Sequence, residues 1–586
     1  MNNSTYYVVR NITHVEAALK HPASGPLEFL CTNFEVHSAC LNRGLSSKLL
    51  HDDRIGEEHR KINKWVYEKL ISWIARCEKN EDKFLFIDAN FYNFKTLFIR
   101  AMKYLRVLSD VLPRQGGYRL CIFECESSIF SIASKAVVER FSEKAEWSSC
   151  PDPRPVKSSL VFSPKNALYD WLGRFMKSRR KTGKKIYLMS GSLMHLEPVI
   201  EKLKTRGDAS IIFCEQEFNL EKYRFCRRRG MDFVVIPKAP RVSWQWAGRE
   251  FISGQMVYEG NDYSEVFNDM LQNLGKVEWL NLGPDIEALK KLIKSFAPDA
   301  VVLDEDFAVR RAYSAVARHC GTPCFVVSHG VPNITLLGDT EQPSDYYASA
   351  VTFVQSDYEK NVYASLYYDP QKISITGVPR YDKLFTRQNE TAVSGESRKQ
   401  VLYCGTVMQS YNFLDDTILA NFLGHRHYRE YLEPSLRDLI EAVWTGGAHL
   451  TIKPHYDQKA YWASFLKEFS YTGTTLVSLR ADIFKHETQA DLVVTPASTV
   501  VLEAIFLDKP VIVLNYGNDH LADVYEKKGV ALVVRNKREL LEAVQQCLTA
   551  GPARQNIATA RHKFLSYFVG AYDGCAADRV AEAISV

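Results

Sequence analysis

The sequence predicts an α/β protein made of several parallel sheets. Three observations predict it. Short apolar runs recur along the whole chain, separated by longer amphipathic segments, which is βα repetition. The runs are nearly continuous rather than alternating in polarity, as strands covered on both faces must be. Many runs stop abruptly at Gly, Pro, Ser or His. The chain therefore turns at the carboxyl end of a strand, where open α/β sheets hold their ligands.

At 586 residues the chain is too long for one hydrophobic core. Three units are expected, over 1–170, 180–390 and 395–586. In the first, YYVVR (6–10), LEFLCT (27–32), KFLFIDA (83–89) and YRLCIF (118–123) read as strands, and NFKTLFIRAMKYLRVLSDVL (93–112) as a helix. A Pro- and Ser-rich stretch at 148–166 reads as a linker. The second unit opens with KKIYLMSGS (184–192), a strand ending in a small-residue turn, and a helix at 194–207 stopped by glycine. ASIIFCEQ, DFVVIPK, DAVVLDED, PCFVVSHG, AVTFVQS and KISITG continue it as strands. The third unit has strands at KQVLYCGT, HLTIKPH, TTLVSL, DLVVTP and KPVIVLNYG, with helices at 539–550 and 554–570 closing the chain.

Composition narrows the class. Hydrophobic residues make up 46% and charged residues 24%, as in soluble globular proteins. The net charge of +5, from 74 basic and 69 acidic residues, is too small for a dedicated nucleic-acid binder. The 13 cysteines form no CxxC pair and several lie inside apolar runs, so buried free thiols in a reducing compartment are expected. No leader-like segment and no apolar run of spanning length is found, so a cytoplasmic protein is expected.

Three constellations carry chemistry. In VVLDEDFAVRRAYSAVARHCGTPCFVVSHGVPN (301–333), His329 emerges where a strand breaks into Gly330. A histidine there suits a general base acting on an acceptor hydroxyl, and equally a packed loop histidine. Asp304, Glu305 and Asp306 form an acidic cluster at another strand end, suited to orienting the histidine or touching a sugar, and equally to solvated loop acids. In TIKPHYD (451–457), Lys453 and His455 sit at a strand's carboxyl edge and suit a nucleotide phosphate. In ADLVVTPASTVVLEAIFLDKPVIVL (490–514), Ser498 and Thr499 open a helix, where hydroxyls and amides meet anions. Glu503, one turn on, is expected to face the same mouth and take a ribose diol. Ordinary helix capping explains the same residues. Basic clusters at 177–185 and 224–230 suit weak contact with an acidic membrane face, or a plain solvated surface.

With these motifs in place, the second and third units resemble GT-B glycosyltransferases of bacterial surface polysaccharides. The likeness is to CDP-glycerol glycerophosphotransferases and to CMP-sugar-dependent capsule or lipopolysaccharide transferases. It rests on His329-Gly330, TGVPRYD (376–382), Lys453-Pro454-His455, and Ser498-Thr499 through Lys509-Pro510, in that order. The proline precedes His455 instead of following it, and PAST replaces a plain Gly or Ser pair. The resemblance implies two Rossmann-like domains facing a cleft, with 1–170 as an additional N-terminal α/β domain for acceptor binding or oligomerisation. It implies His329 as catalytic base, and Asp304 and Asp306 stay beside it as catalytic candidates from the residues alone. It places His455 and Lys453 on the donor phosphate or nucleotide, Ser498 and Thr499 on phosphate, Glu503 on ribose, and Gly377 and Arg380 on the donor side. No cofactor and no metal are expected, since Asp304-Glu305-Asp306 is the nearest approach to a metal-binding DxD. The expected partners are a nucleotide-activated sugar donor and a glycan or lipid-linked glycan acceptor. A UDP-sugar transferase, a nucleotide-sugar 2-epimerase of the same fold, and a non-catalytic glycan-binding or scaffold protein remain as alternatives. Nucleotide binding argues against the last.

Overall fold

A computed structural model of the chain describes residues 4–9, 12–22, 25–31, 34–49, isolated positions between 61 and 138 together with 118–125 and 145–150, then 183–238, 256–273, 284–305, 310–327, 351–365, 369–388, 398–405, 428–454, 465, 473–478, 481–517, 520–549 and 552–585. The statements below concern these residues.

Three parallel sheets account for the apolar runs. The first contains β1 (Ser4–Val9), β2 (Leu27–Cys31), β3 (Ser47–Leu49), β4 (Tyr118–Cys125) and β5 (Ala145–Cys150), in the spatial order β3-β2-β1-β4-β5. Its core is aromatic and thiol-rich: Tyr7, Phe29, Cys31, Cys40, Cys121 and Phe123. Its cysteines Cys31, Cys40 and Cys121 are buried free thiols.

The second sheet contains β6 (Lys185–Ser190), β7 (Ala209–Glu215) and β8 (Asp232–Val235). After a small ribbon of β9 (Val257–Tyr258) and β10 (Asn261–Asp262), it continues with β11 (Ala300–Leu303), β12 (Cys324–Val326), β13 (Val351–Val354) and β14 (Ile373–Ile375). The order is β14-β13-β12-β11-β6-β7-β8. Strands and covering helices are set by simple local signals. β11 is buried along its whole length, and Asp285 caps the helix Ile286–Phe296 by accepting from the amides of Glu287 and Ala288.

The third sheet contains β15 (Gln400–Cys404), β16 (His449–Lys453), β17 (Thr474–Leu476), β18 (Leu492–Thr495), β19 (Val511–Leu514) and β20 (Leu532–Val534), in the order β17-β16-β15-β18-β19-β20. In both larger sheets the chain starts in the middle and winds outwards in two directions. This doubly wound order creates a crevice at the carboxyl ends of the two strands where the winding reverses. Those strands are β6 and β11 in the second sheet, and β15 and β18 in the third.

Several expectations need correction. Leu85, read as part of a strand, is helical, and it packs with Ile186, Leu188 and Leu292 in the core of the second sheet. A short apolar run fits a strand and a buried helix equally well, and here tertiary burial decided. Residues 148–150 belong to β5, not to a linker. The chain is not closed by the helix Pro552–Phe568: a further helix, Ala576–Ala583, follows it. Residues of the 61–105 stretch also pack on the second unit. Trp65 Nε1 donates to Val257 O at 2.9 Å, and the rings of Phe98 and Phe267 lie 4.6 Å apart.

Candidate active site

The crevice of the third sheet forms where β15 and β18 end side by side. The Thr495 hydroxyl, fully buried, donates to Cys404 O at 3.0 Å and so ties the two strand ends together. That hydrogen is thereby used, so the 3.0 Å bond between Thr495 Oγ1 and Ser498 Oγ is donated by Ser498. Thr499 is the residue before the helix Val500–Phe506, and its side chain does not cap that helix. Beyond β15, Lys453 ends β16 in register with Cys404, and Gly405 N donates to Lys453 O at 2.9 Å. Burial lowers the Lys453 ammonium pKa below its ordinary value, opposed by Cys404. Burial also lowers His486, with Lys485 and Lys453 adding to it, so this corner favours neutral imidazole beside a partly desolvated ammonium.

The crevice of the second sheet centres on Asp304, the residue after β11. Its carboxylate accepts from Ser192 N at 2.8 Å and from His195 Nδ1 at 3.0 Å, and Arg310 Nε lies 3.0 Å from its other oxygen. Burial pushes its pKa up, but the His195 hydrogen bond and the Arg310 charge outweigh that and hold the carboxyl below its ordinary value. An ionised Asp304 only accepts, so Nδ1 of His195 carries the hydrogen, and Nε2 is the acceptor in the neutral ring. The pocket for this carboxylate exists because residue 191 is glycine: a Cβ there would lie 2.4 Å from Asp304 Oδ1. Lys222 adds a cation at the same edge. It donates to Gly191 O at 2.8 Å and pairs with Glu215. Arg310 pairs with Glu305 as well.

Between the two sheets runs the segment TGVPRYD. Gly377 adopts φ +82°, and a Cβ there would come within 3.1 Å of both Ala571 O and Ala576 Cβ. Arg380 pairs with Glu503 while both are buried, at 8% and 1% exposure. Asp382 accepts from Ala576 N at 3.0 Å and Ala577 N at 2.8 Å, capping the last helix. The motif therefore docks the segment after the second sheet onto the third. Val378, Tyr381 and Leu384 share a core with Val493, Val501 and Phe506. Glu503 was expected to face the mouth opened by Thr499. It is instead turned to Arg380, because the helix packs that face against the 376–388 segment.

Of the residues named from sequence, Asp304, Gly377, Arg380, Lys453, Ser498, Thr499 and Glu503 are placed as above. His329, Asp306 and His455 lie outside the described residues. Lys453, Ser498 and Thr499 gather at one crevice; Asp304 sits at the other; Gly377, Arg380 and Glu503 gather between them. Sequence reading missed His195, Lys222, Arg310, Thr495 and Glu487. The signal for His195 was weak, a histidine just past the SGS turn, and its partner lies 109 residues away. Glu487 is fully buried, with neither carboxyl oxygen hydrogen-bonded among the described residues. Burial raises its carboxyl pKa well above the ordinary range, opposed by Arg380.

A family model described as CDP-glycerol:poly(glycerophosphate) glycerophosphotransferase matches residues 300–586. Every candidate residue named from sequence falls inside that stretch. No curated protein matches the chain. Solved structures similar to it include UDP-GlcNAc 2-epimerase from Neisseria meningitidis bound to UDP-GlcNAc, at 14% identity over 68% of this chain and 99% of that one, with a TM-score of 0.44. A second is S. aureus MnaA with UDP, at 14% identity over 69% and 96%, TM-score 0.44. A third is the wall teichoic acid polymerase TagF, at 14% identity over 72% and 92%, TM-score 0.41. The two doubly wound sheets and the family match together give a GT-B-like fold related to CDP-glycerol glycerophosphotransferases, as the sequence resemblance implied.

Proposed function

We propose that the chain transfers a sugar, or a related polyol-phosphate group, from a CMP- or CDP-linked donor to a bacterial cell-surface glycan or lipopolysaccharide acceptor. The observation that carries this is the crevice between β15 and β18. There a partly buried ammonium, Lys453, stands beside strand ends tied by Thr495 and a helix opening at Ser498 and Thr499. The lean towards cytidine rests on the family matched by residues 300–586.

The donor phosphate lies against Lys453, the Thr499 hydroxyl and the amides that open the helix. Ser498 joins them by rotating away from Thr495. His455 is assigned to the same donor by its place in the Lys453-Pro454-His455 motif. Arg380 and Glu503 act on the donor indirectly, by holding the 376–388 segment to the third sheet. The acceptor hydroxyl attacks the donor carbon, or the phosphorus of a polyol phosphate. The new bond to the acceptor oxygen forms as the bond to the nucleotide's phosphate oxygen breaks. The acceptor proton passes to His329, and Lys453 stabilises the charge left on the departing nucleotide. Asp304, held ionised by His195 and Arg310, supplies the carboxylate at the acceptor-side crevice.

The test is a thermal-shift series with CMP, CDP, UDP, GDP and ADP, since a ligand that binds only the native state raises its melting temperature. A cytidine nucleotide should give the largest shift. A response confined to uridine nucleotides would overturn the donor, and no response to any of them would overturn the enzyme reading.

An acceptor bound to lipid brings the protein to an acidic membrane face. No helix of the described residues is long and apolar enough to cross a membrane. Arg224, Arg227 and Arg228 are exposed on one helix, whereas Arg229 is taken up by Glu197 and Glu201. Flotation with anionic vesicles at low salt should therefore recover the protein, and a triple Arg224, Arg227, Arg228→Gln variant should float less. Equal recovery of the two would remove this contact.

A further inference from the structure

The five-stranded sheet carries a cluster that this reaction does not use. His21 follows the helix Ile12–Lys20, Cys121 lies on β4, and Glu146 lies on the edge strand β5. Glu146 Oε1 is 3.4 Å from His21 Nε2 and 2.7 Å from Cys121 Sγ. One ligand atom from each of the three lies within 4.8 Å of the others. Glu146 and His21 are held from behind. Arg119 Nη2 donates to the other Glu146 oxygen at 2.7 Å, and its Nη1 donates to Pro22 O at 3.2 Å. Tyr7, in register with Cys121, donates its hydroxyl to His21 O at 3.0 Å and lies 3.5 Å from His21 Nδ1.

We propose that His21, Cys121 and Glu146 bind one zinc-class divalent cation, with water in the fourth position. The donor set is the mixed nitrogen, sulfur and oxygen set that zinc takes in tetrahedral sites. The Tyr7 oxygen faces Nδ1 and can accept its hydrogen. In the neutral ring, that leaves the lone pair of Nε2 on the side of the Glu146 carboxylate. In that tautomer Nε2 offers its lone pair to a cation seated between it and the carboxylate. Ordinary zinc bonds of about 2.0–2.3 Å set ligand atoms roughly 3.3–3.7 Å apart, so loading moves Glu146 back from Cys121 by about an ångström. Tyr7 on the imidazole and Arg119 on the carboxylate are the outer partners that orient such ligands.

Binding breaks the Cys121 S–H bond, forms a sulfur–metal bond and releases the proton to solvent. The thiolate and the carboxylate together balance the charge of the ion. Cys121 is fully buried, while His21 and Glu146 are partly exposed, so the ion enters past the latter two and seats on the sulfur. The ion ties three separated stretches of chain: the turn after the first helix, the inner strand β4 and the edge strand β5.

The test uses the full chain, stripped with chelator, dialysed, and titrated with zinc alone and with cobalt(II) alone. One equivalent of metal should bind, and cobalt should produce a thiolate-to-metal charge-transfer band. Cys121→Ser should abolish the band, and His21→Asn should weaken binding by roughly tenfold or more. The proton released on zinc binding should disappear in Cys121→Ser. If Cys121→Ser fails to fold, Glu146→Gln, at a partly exposed position, carries the test through the loss of affinity. Less than stoichiometric zinc at micromolar free metal would overturn the proposal. So would a cobalt band that survives in both His21→Asn and Glu146→Gln, because the metal would then sit on other cysteines.

Discussion

His329 carries the proton in the proposed transfer, so its replacement tests the chemistry most directly. His329→Ala should fold, keep its nucleotide-induced thermal shift and lose turnover by roughly 10²–10⁴-fold, the usual scale for an acid–base group. The loss should fall on kcat, because the interaction matters only while the proton moves. A packed loop histidine would give the reverse, a lower melting temperature with the rate kept. Lys453 makes a different claim. Burial lowers its pKa, and it binds an anion only while protonated. Nucleotide affinity should therefore fall as pH rises, at a lower pH than an ordinary lysine would show, and Lys453→Met should be weak and flat across that range. A wild-type affinity that stays constant well into the alkaline range would remove Lys453 from the phosphate. Of these residues, Lys453 and Ser498 were legible in the sequence because strand ends and helix starts announce themselves by pattern. His195 was not, because a hydrogen bond to Asp304 across two strands of a sheet leaves no local trace.

At the scale of elements, the strands were the most legible part, because buried parallel strands need unbroken apolar runs whatever surrounds them. Two short pieces near the end of the chain were missed. β20 is three residues, and the last helix, Ala576–Ala583, is short and begins just after the glycine-containing turn at Gly574. The role of TGVPRYD was also hidden, since an arginine that docks a segment and one that grips a phosphate look alike in sequence. Arg380 has two glutamates near it, and they should behave in opposite ways. Glu503 is its ion-pair partner, so Glu503→Gln leaves a buried guanidinium uncompensated and should cost about 3–5 kcal/mol. Glu487 has its carboxyl pKa raised by burial. A raised carboxyl contributes stability below the ordinary carboxylate range, about pH 4, and that contribution is lost as pH rises towards the folded value. Glu487→Gln keeps the shape without the charge, so it should melt higher than wild type at pH 8 and by less at pH 5. Urea unfolding of both variants at the two pH values checks this. Greater destabilisation of Glu487→Gln at pH 8 would mean that Glu487, not Glu503, is the ionised partner.

For the whole molecule, the question is how the two larger sheets stay coupled while each carries its own crevice. Two connections do it. The 376–388 segment leaves the second sheet and packs into the core of the third. The chain's end then returns: the turn after Pro552–Phe568 meets the end of β13, where Ser356 Oγ donates to Phe568 O at 2.9 Å, and the helix Ala576–Ala583 lies on the second sheet. Val580, Ala581 and Ile584 join Met189, Val199 and Phe213 in one core, and Lys202 pairs with Asp578 at 2.7 Å. A nucleotide bound at the third sheet should therefore stabilise the second as well, through a single coupled transition. Val580 is fully buried, and Val580→Asp places a charge in that core, which should cost on the order of 3 kcal/mol or more and release the last helix. Calorimetry of this variant should resolve two transitions where the parent shows one for these sheets. Only one of the two should rise with added nucleotide, because the other sheet no longer feels it. If both transitions of the variant still shift together, the 376–388 segment alone couples the sheets, and the returning helix contributes only to local stability.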